Sequence, residues 1–161
     1  MKAKKLLLAL CAFMIMGGNA VMAQEKIDAP ELANTVFDIG GKNVGYQQYF
    51  IGQSYLNMLT TTGVPIGNVT FEPGCRNNWH IHHKGGQILL VTAGRGYYQE
   101  WGKPAQELHP GDVVNIGPGV KHWHGAAPDS WFAHLAVEIP AEGASNEWLE
   151  PVTDEEYSKL K

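Results

Sequence analysis

From Tyr46 to Ile139 the chain alternates between short β-prone runs and turns that contain glycine or proline. The runs are rich in β-branched, aromatic and aliphatic residues, and such runs between turn signals are typical of β-strands. Eight of them at this spacing favour an antiparallel sandwich or barrel, so the pattern predicts an all-β domain over residues 46–140. The predicted strands are Tyr49–Leu59, Gly67–Phe71, Asn78–His82, Gln87–Thr92, Gly96–Trp101, Val113–Ile116, His122–Ala126 and Trp131–Ile139.

The segments on either side of this domain lack the strand pattern. Residues 24–45 are polar and contain Pro30 and a pair of glycines, so we expect an N-terminal arm, which could add a strand to a neighbouring subunit. Residues 141–161 form a tail in which Thr153 and Glu156 have the spacing of a capping box. The tail is therefore predicted to carry a short C-terminal helix outside the barrel.

Residues 1–23 are predicted to be a signal peptide. Three lysines precede the apolar run Leu6–Met16, and Val21-Met22-Ala23 places small residues where a signal peptidase cleaves. The run is shorter than the roughly 20 apolar residues that span a bilayer, so we expect cleavage after Ala23 and no stable membrane insertion afterwards. The mature protein is expected in the periplasm or outside the cell.

The net charge and the number of cysteines limit the kinds of partner and the disulfides that we expect for this protein. Loss of residues 1–23 removes three lysines and no acidic residue, so the formal charge goes from −4 to −7. A nucleic-acid partner is not expected because phosphate binding needs a basic surface. Cys75 is the one cysteine after residue 23, which leaves no intramolecular disulfide. A small-molecule ligand fits better, and a homodimer or higher homo-oligomer is compatible with the sequence.

The histidines suggest a metal site. All seven lie between positions 80 and 134, and His80 and His82 flank Ile81 in a predicted strand, whose period of two places both imidazoles on one face. Gln87 follows a Gly85-Gly86 turn, and His122 lies in a later strand. We predict that His80, His82, Gln87 and His122 bind one metal ion; the alternative is a set of hydrogen-bonded structural histidines.

These residues fall into two motifs that resemble those of the cupin superfamily. The first motif is matched by a glycine, the His-x-His pair, a glutamine where glutamate is usual, and a second glycine. The second is matched at its glycines and its histidine, with Gly117 in the position of its proline and alanine in the position of its asparagine. The resemblance implies a double-stranded β-helix, a jelly-roll-like barrel. The matching residues are Gly74, His80, His82, Gln87, Gly94, Gly111, Gly119, His122 and Ala126.

Within the superfamily, the chain is similar to small cupins that resemble the manganese-dependent hydroxynitrile lyases, some of which are described as carboxymuconolactone-decarboxylase-associated. That group shares the three-histidine, one-glutamine set and a histidine at the position of His134, although this chain has one more residue between His82 and Gln87. The resemblance implies manganese, and the donor set also suits Fe, Zn, Ni or Co.

The chemistry expected of such a site is metal-assisted proton transfer. Four neutral ligands would leave an octahedral ion two open positions and its full positive charge, which favours polarising a substrate oxygen. A base is then needed, and the candidates are His134, which we favour, and His124. The reaction would be of lyase or isomerase type; the alternatives are a quercetinase-type dioxygenase and a non-catalytic binder of a sugar or another small molecule.

Overall fold

The computed structural model describes residues 29–160, which are almost entirely β-strands and turns. The predicted signal peptide and the start of the arm lie outside the described residues. The strands are β1 (Gly41–Lys42), β2 (Phe50–Ile51), β3 (Ser54–Thr60), β4 (Ile66–Phe71), β5 (Arg76–Asn77), β6 (His80–His83), β7 (Gln87–Gly94), β8 (Gly96–Glu100), β9 (Gln106–Leu108), β10 (Val113–Ile116), β11 (Lys121–Ala126), β12 (Phe132–Glu138) and β13 (Ser145–Trp148).

The strands form two sheets in which neighbouring strands are antiparallel. The first sheet has the order β1-β3-β4-β12-β7-β10, and the second has the order β13-β6-β11-β5-β2, with β8 paired to β11 and β9 paired to β8. Many neighbours in space are far apart in sequence, as in the pairing of β4 with β12, so the chain crosses repeatedly between the sheets. This arrangement confirms the predicted all-β antiparallel fold.

Strand β7 shows how the sequence pattern builds the core. Its buried and partly exposed positions alternate along its whole length, so Leu89 and Val91 face the space between the sheets. There they join Phe71 and Phe132, which are both completely buried, in the main hydrophobic cluster. Burying a side chain of this size contributes about 1.5–3 kcal/mol, so this cluster is the main reason that the two sheets stay together.

A second hydrophobic cluster holds the C-terminal tail against the barrel. Trp79, Trp123 and Tyr157 pack together there. The tail ends in helix α1 (Asp154–Tyr157), whose first turn has the predicted capping box between Thr153 and Glu156. This helix is too short to span a membrane, and no other helix within residues 29–160 is long and apolar enough to do so.

The N-terminal arm also packs on its own domain. Leu32 lies in a 3-10 turn (Pro30–Leu32) and is buried in a third small cluster with Ala93 and Ala133. Further along, β1 pairs with β3 of the same chain. A second 3-10 turn (Gln47–Tyr49) then leads into β2. These contacts bring the end of the arm to the open end of the barrel, where the candidate site lies.

Candidate metal centre

Three of the predicted ligands lie together inside the barrel. Strand β11 pairs with β6 so that His122 is directly opposite His80, and His82 lies two residues along β6 on the same face. All three side chains are at least 96% buried, and one nitrogen of each ring lies within 4.8 Å of the others. The period of two in β6 and the register with β11 together create this cluster.

Backbone carbonyl groups fix which nitrogen of two rings faces the cluster. The Nδ1 atom of His80 donates to the carbonyl of Asn78 at 3.0 Å, and Nδ1 of His122 donates to that of Val120 at 2.9 Å. A neutral imidazole that donates from Nδ1 has its lone pair on Nε2. Both rings therefore present Nε2 as a possible metal ligand.

A tight loop brings the fourth predicted ligand to the same place. Between β6 and β7, Lys84 and Gly86 both have a positive φ, 68° and 96°. A Cβ atom on Gly85 would lie only 2.0 Å from the carbonyl oxygen of Ile139, so glycine is needed there. The loop ends at Gln87, the first residue of β7, which is 5% exposed.

The unpaired polar atoms of these residues fit a metal ion. Nε2 of His82, Nε2 of His122 and Oε1 of Gln87 are buried, and none has a hydrogen-bond partner among the described residues. A buried polar atom without a partner costs about 1–3 kcal/mol. Imidazole nitrogens and an amide oxygen are ligands for a first-row divalent cation, so one ion bound between them would satisfy all three.

His124 and His134 form a buried pair beside this cluster. Nε2 of His134 lies 3.1 Å from Nδ1 of His124. Asn77 holds His124 from the other side: its Oδ1 accepts from the backbone N–H of His124 at 3.0 Å, and its Nδ2 lies 3.2 Å and 3.1 Å from the two ring nitrogens. The ring of His124 thus lies near the ligands, with its centroid 5.4 Å from that of His80, and His134 contacts His124.

Only one member of this pair lines the cavity. His124 is one of its wall residues, whereas His134 is not and is completely buried between Phe71 and Phe132. His134, the base favoured from the sequence, therefore lies behind His124. The strand pattern placed both residues on the inner face but did not show how deep each one lies.

Burial keeps these imidazoles neutral. It lowers the pKa of His122 and of His134 to about 4. Burial, followed by repulsion from neighbouring histidines, lowers the pKa of His80 and of His124 well below its usual value. A metal ligand must be deprotonated, and so must a base. At neutral pH these four side chains are therefore in the form that either role requires.

The cavity beside the cluster has a volume of about 220 Å³ and mostly apolar walls. Trp148 stacks on the ring of His80 with centroids 4.7 Å apart, and Tyr46 and Met58 lie at the partly exposed mouth. Sequence reasoning missed Trp148 because it lies in β13, a polar edge strand. Trp79, by contrast, packs in the second hydrophobic cluster. The remaining wall residues are Asn43, Phe50, Leu56, Pro65, Gly67, Val69, Asn77, His82, Gln87, His124, Ala136, Glu138 and Asn146.

Comparisons with known proteins agree with this fold. A cupin domain model matches residues 67–137, the part that contains all four predicted ligands. The chain is 52% identical over 92 residues to an (R)-mandelonitrile lyase from Granulicella tundricola, covering 57% of this chain and 70% of that protein. The chain therefore belongs to the cupin family.

Solved structures give the same assignment. A cupin-like protein from Thermotoga maritima is 46% identical, with a TM-score of 0.72, and the match covers 78% of this chain and 96% of that one. A protein with a double-stranded β-helix domain from Klebsiella pneumoniae is 19% identical, with a TM-score of 0.56 and coverage of 71% and 96%. The second likeness supports the fold alone.

Proposed function

We propose that this protein is an exported, metal-dependent lyase that cleaves a small hydroxy-bearing molecule, in the manner of a hydroxynitrile lyase. The observation that carries this proposal is the position of His124, a neutral histidine in the wall of a cavity that His80, His82 and Gln87 also line. His122 completes the histidine cluster with His80 and His82. The similarity to an (R)-mandelonitrile lyase gives the reaction type.

In this proposal, His80, His82 and His122 hold the ion through ring nitrogens, and Gln87 holds it through Oε1. Manganese is proposed on the resemblance to manganese-dependent relatives. A bound divalent ion would supply a Lewis acid that polarises the substrate's oxygen. Because all four protein ligands are neutral, they leave the positive charge of the ion available for this purpose.

His124 would act as the base. It lines the cavity and is neutral at pH 7, so it can accept a proton from a substrate hydroxyl. Asn77 and His134 hold its ring in place, and His134 lies close enough to share the proton. Because burial disfavours the charged form, His124 would hold the proton briefly and return it to the leaving group.

The cavity favours a small, partly apolar substrate. Its volume of about 220 Å³ is below the 300–1,000 Å³ that is usual for drug-sized ligands. Leu56, Val69 and Ala136 provide apolar surface, which suits an aryl or alkyl group next to the reacting carbon. A cyanohydrin such as (R)-mandelonitrile is therefore a suitable first substrate.

The test uses protein stripped with a chelator and reloaded with Mn²⁺, with cyanide release from (R)-mandelonitrile as the readout. His122→Ala should lose both stoichiometric metal and activity. His124→Ala should keep the metal and lose activity by about 100-fold or more, the usual contribution of a general base. His109→Ala is the control, since His109 pairs with Glu107 outside the cavity.

Three outcomes would contradict the proposal. Purified protein that binds no stoichiometric metal would remove its basis. Turnover that requires oxygen would indicate a dioxygenase instead. Metal-loaded protein that is inactive on cyanohydrins, unsaturated uronates and flavonols would indicate a non-catalytic binder.

Export has its own test. The protein recovered from the periplasm or the medium should begin at Gln24, as read by mass spectrometry of the intact chain. A full-length chain that stays in the cytoplasm would contradict this part of the proposal.

A further inference from the structure

We propose that Glu138 is a positioning residue of the metal centre: its carboxylate orients the amide of Gln87 and the ring of His82. The inference rests on the metal site of the proposed function and adds a residue to it. In this role Glu138 provides a negative charge next to the ligands, but its carboxylate does not itself bind the ion.

Glu138 lies at the end of β12, directly opposite Gln87 in the antiparallel pairing with β7. Its Oε1 accepts a hydrogen bond from Nε2 of Gln87 at 2.5 Å, and its Oε2 lies 3.0 Å from Nδ1 of His82. The side chain is 34% exposed and lines the cavity. One carboxylate therefore contacts two of the four predicted ligands.

The contact with Gln87 determines which end of the amide faces the histidines. An ionised carboxylate can only accept hydrogen bonds, so the NH₂ group of Gln87 must point at Glu138. The amide oxygen then points away from Glu138, and it is buried without a hydrogen-bond partner among residues 29–160. If the amide were reversed, the amide oxygen of Gln87 would face the carboxylate oxygen of Glu138. The NH₂ group, which cannot bind a metal, would then take the place of the ligand oxygen.

The contact with His82 completes a pattern among the three histidines. His80 and His122 donate from Nδ1 to backbone carbonyls, whereas Nδ1 of His82 makes no hydrogen bond within the described part of the chain. The oxygen of Glu138 is within ion-pair distance of it, although off the direction of the N–H bond. A negative oxygen there favours a proton on Nδ1, which leaves Nε2 of His82 free to bind the ion.

Only a carboxylate meets both requirements at position 138. Gln87 Nε2 and a protonated His82 Nδ1 are both donors, so the residue between them must offer two acceptors. Glutamine has the same shape but one acceptor and one donor, so Glu138→Gln would leave one of the two ligands wrongly oriented. The charge adds to this effect, since the carboxylate attracts a dipositive ion held by neutral ligands.

The experiment measures Mn²⁺ affinity by the electron paramagnetic resonance signal of free Mn²⁺, so it does not depend on finding the substrate. Glu138→Gln should weaken Mn²⁺ binding by about 10- to 100-fold, which is usual for residues that orient metal ligands. Glu107→Gln is the matched control, because Glu107 contacts Arg95 and His109 away from the cavity. Melting temperatures of the metal-free proteins show that each variant is folded.

A double variant distinguishes orientation from simple loss of structure. In Gln87→Glu/Glu138→Gln the acid becomes the ligand, and the new amide at position 138 can donate to it while its oxygen accepts from His82. This double variant should bind Mn²⁺ at least tenfold more tightly than Glu138→Gln does.

The results separate this inference from the proposed function. If Glu138→Gln binds Mn²⁺ as tightly as the wild type, or if the double variant binds no better than Glu138→Gln, the orienting role is wrong. Reduced turnover in Glu138→Gln with unchanged Mn²⁺ affinity would also overturn it, since the carboxylate would then act on the substrate. If the wild type itself binds no Mn²⁺, the proposed function fails first.

Discussion

Metal-free protein should lose stability as the pH falls from 7.5 to 5.0, because its buried histidines resist protonation. Burial lowers the pKa of His122 and His134 from 6.5 to about 4 in the folded protein. Between these two values the unfolded chain binds protons that the folded protein does not. Protonation therefore favours unfolding in this window, and stability falls as the pH falls through it.

The size of the effect follows from the two pKa values. At pH 5.0, a histidine with a pKa of 6.5 when unfolded and about 4 when folded contributes about 2 kcal/mol less stability than at pH 7.5. Burial lowers the pKa of His80 and of His124 as well, so these two residues also reduce stability as the pH falls. The hydrogen-bonded Glu100 and Glu150 have a pKa below 4.5, so their contributions remain intact at pH 5.0.

Urea unfolding followed by tryptophan fluorescence at both pH values measures this difference. His134→Leu removes one buried imidazole. The difference between its unfolding free energies at pH 7.5 and pH 5.0 should therefore be about 2 kcal/mol smaller than that of the wild type. His109→Ala, which changes a histidine at the surface, should keep the full difference. The reasoning is refuted if His134→Leu retains the whole pH dependence, or if the wild type shows none.

Four substitutions test other parts of the structure by urea unfolding or metal titration. Tyr157→Phe removes the hydrogen bond to the buried carbonyl of Ala126, 2.6 Å long, and should cost about 1–3 kcal/mol. Thr153→Ala removes the capping box of α1 and should cost about 1 kcal/mol. Phe71→Ala empties part of the main core and should cost about 3–5 kcal/mol. Trp148→Leu removes the ring stacked on His80 and should weaken Mn²⁺ binding while the cupin barrel remains folded. An unchanged free energy or affinity in any of these would contradict the role given to that contact.

The cluster of three histidines could be predicted because local rules determine it. In a strand, His80 and His82 must share a face, and the cupin motifs supplied the partner strand that carries His122. Gln87 follows a glycine turn, a signal that is also visible in the sequence. These features depend on neighbouring residues and on one recognisable pairing, so little tertiary information was needed.

The rest of the cavity could not be predicted because its strands carry no clear pattern. Strand β13 (Ser145–Trp148) is mostly exposed, and its polar sequence lacks the alternation that marks a strand. It nevertheless pairs with β6 and places Trp148 opposite His80. The arm likewise contributes Asn43, and the first residue of the domain, Tyr46, joins it in the cavity wall; strand periodicity does not reveal either position.

The sequence also could not decide between the two candidate bases. His124 and His134 lie on strands of different sheets that both face inward, and the period of two gives only the face. Their depth depends on how the sheets curve around the core. Phe71 and Phe132 fill the space beside His134, which leaves His124 at the wall of the cavity.

The hydrogen bonds from His80 and His122 to carbonyl groups two residues earlier in the chain have a consequence for mutation. Because every amino acid has a backbone carbonyl, replacing Asn78 or Val120 would not remove the acceptor. Within the described part of the chain, Nδ1 of His82 has no such backbone acceptor, and the oxygen that lies within ion-pair distance of it belongs to the side chain of Glu138. Substitutions that alter metal preference in related chains should therefore concentrate around His82, while the other two imidazoles keep their orientation through sequence change.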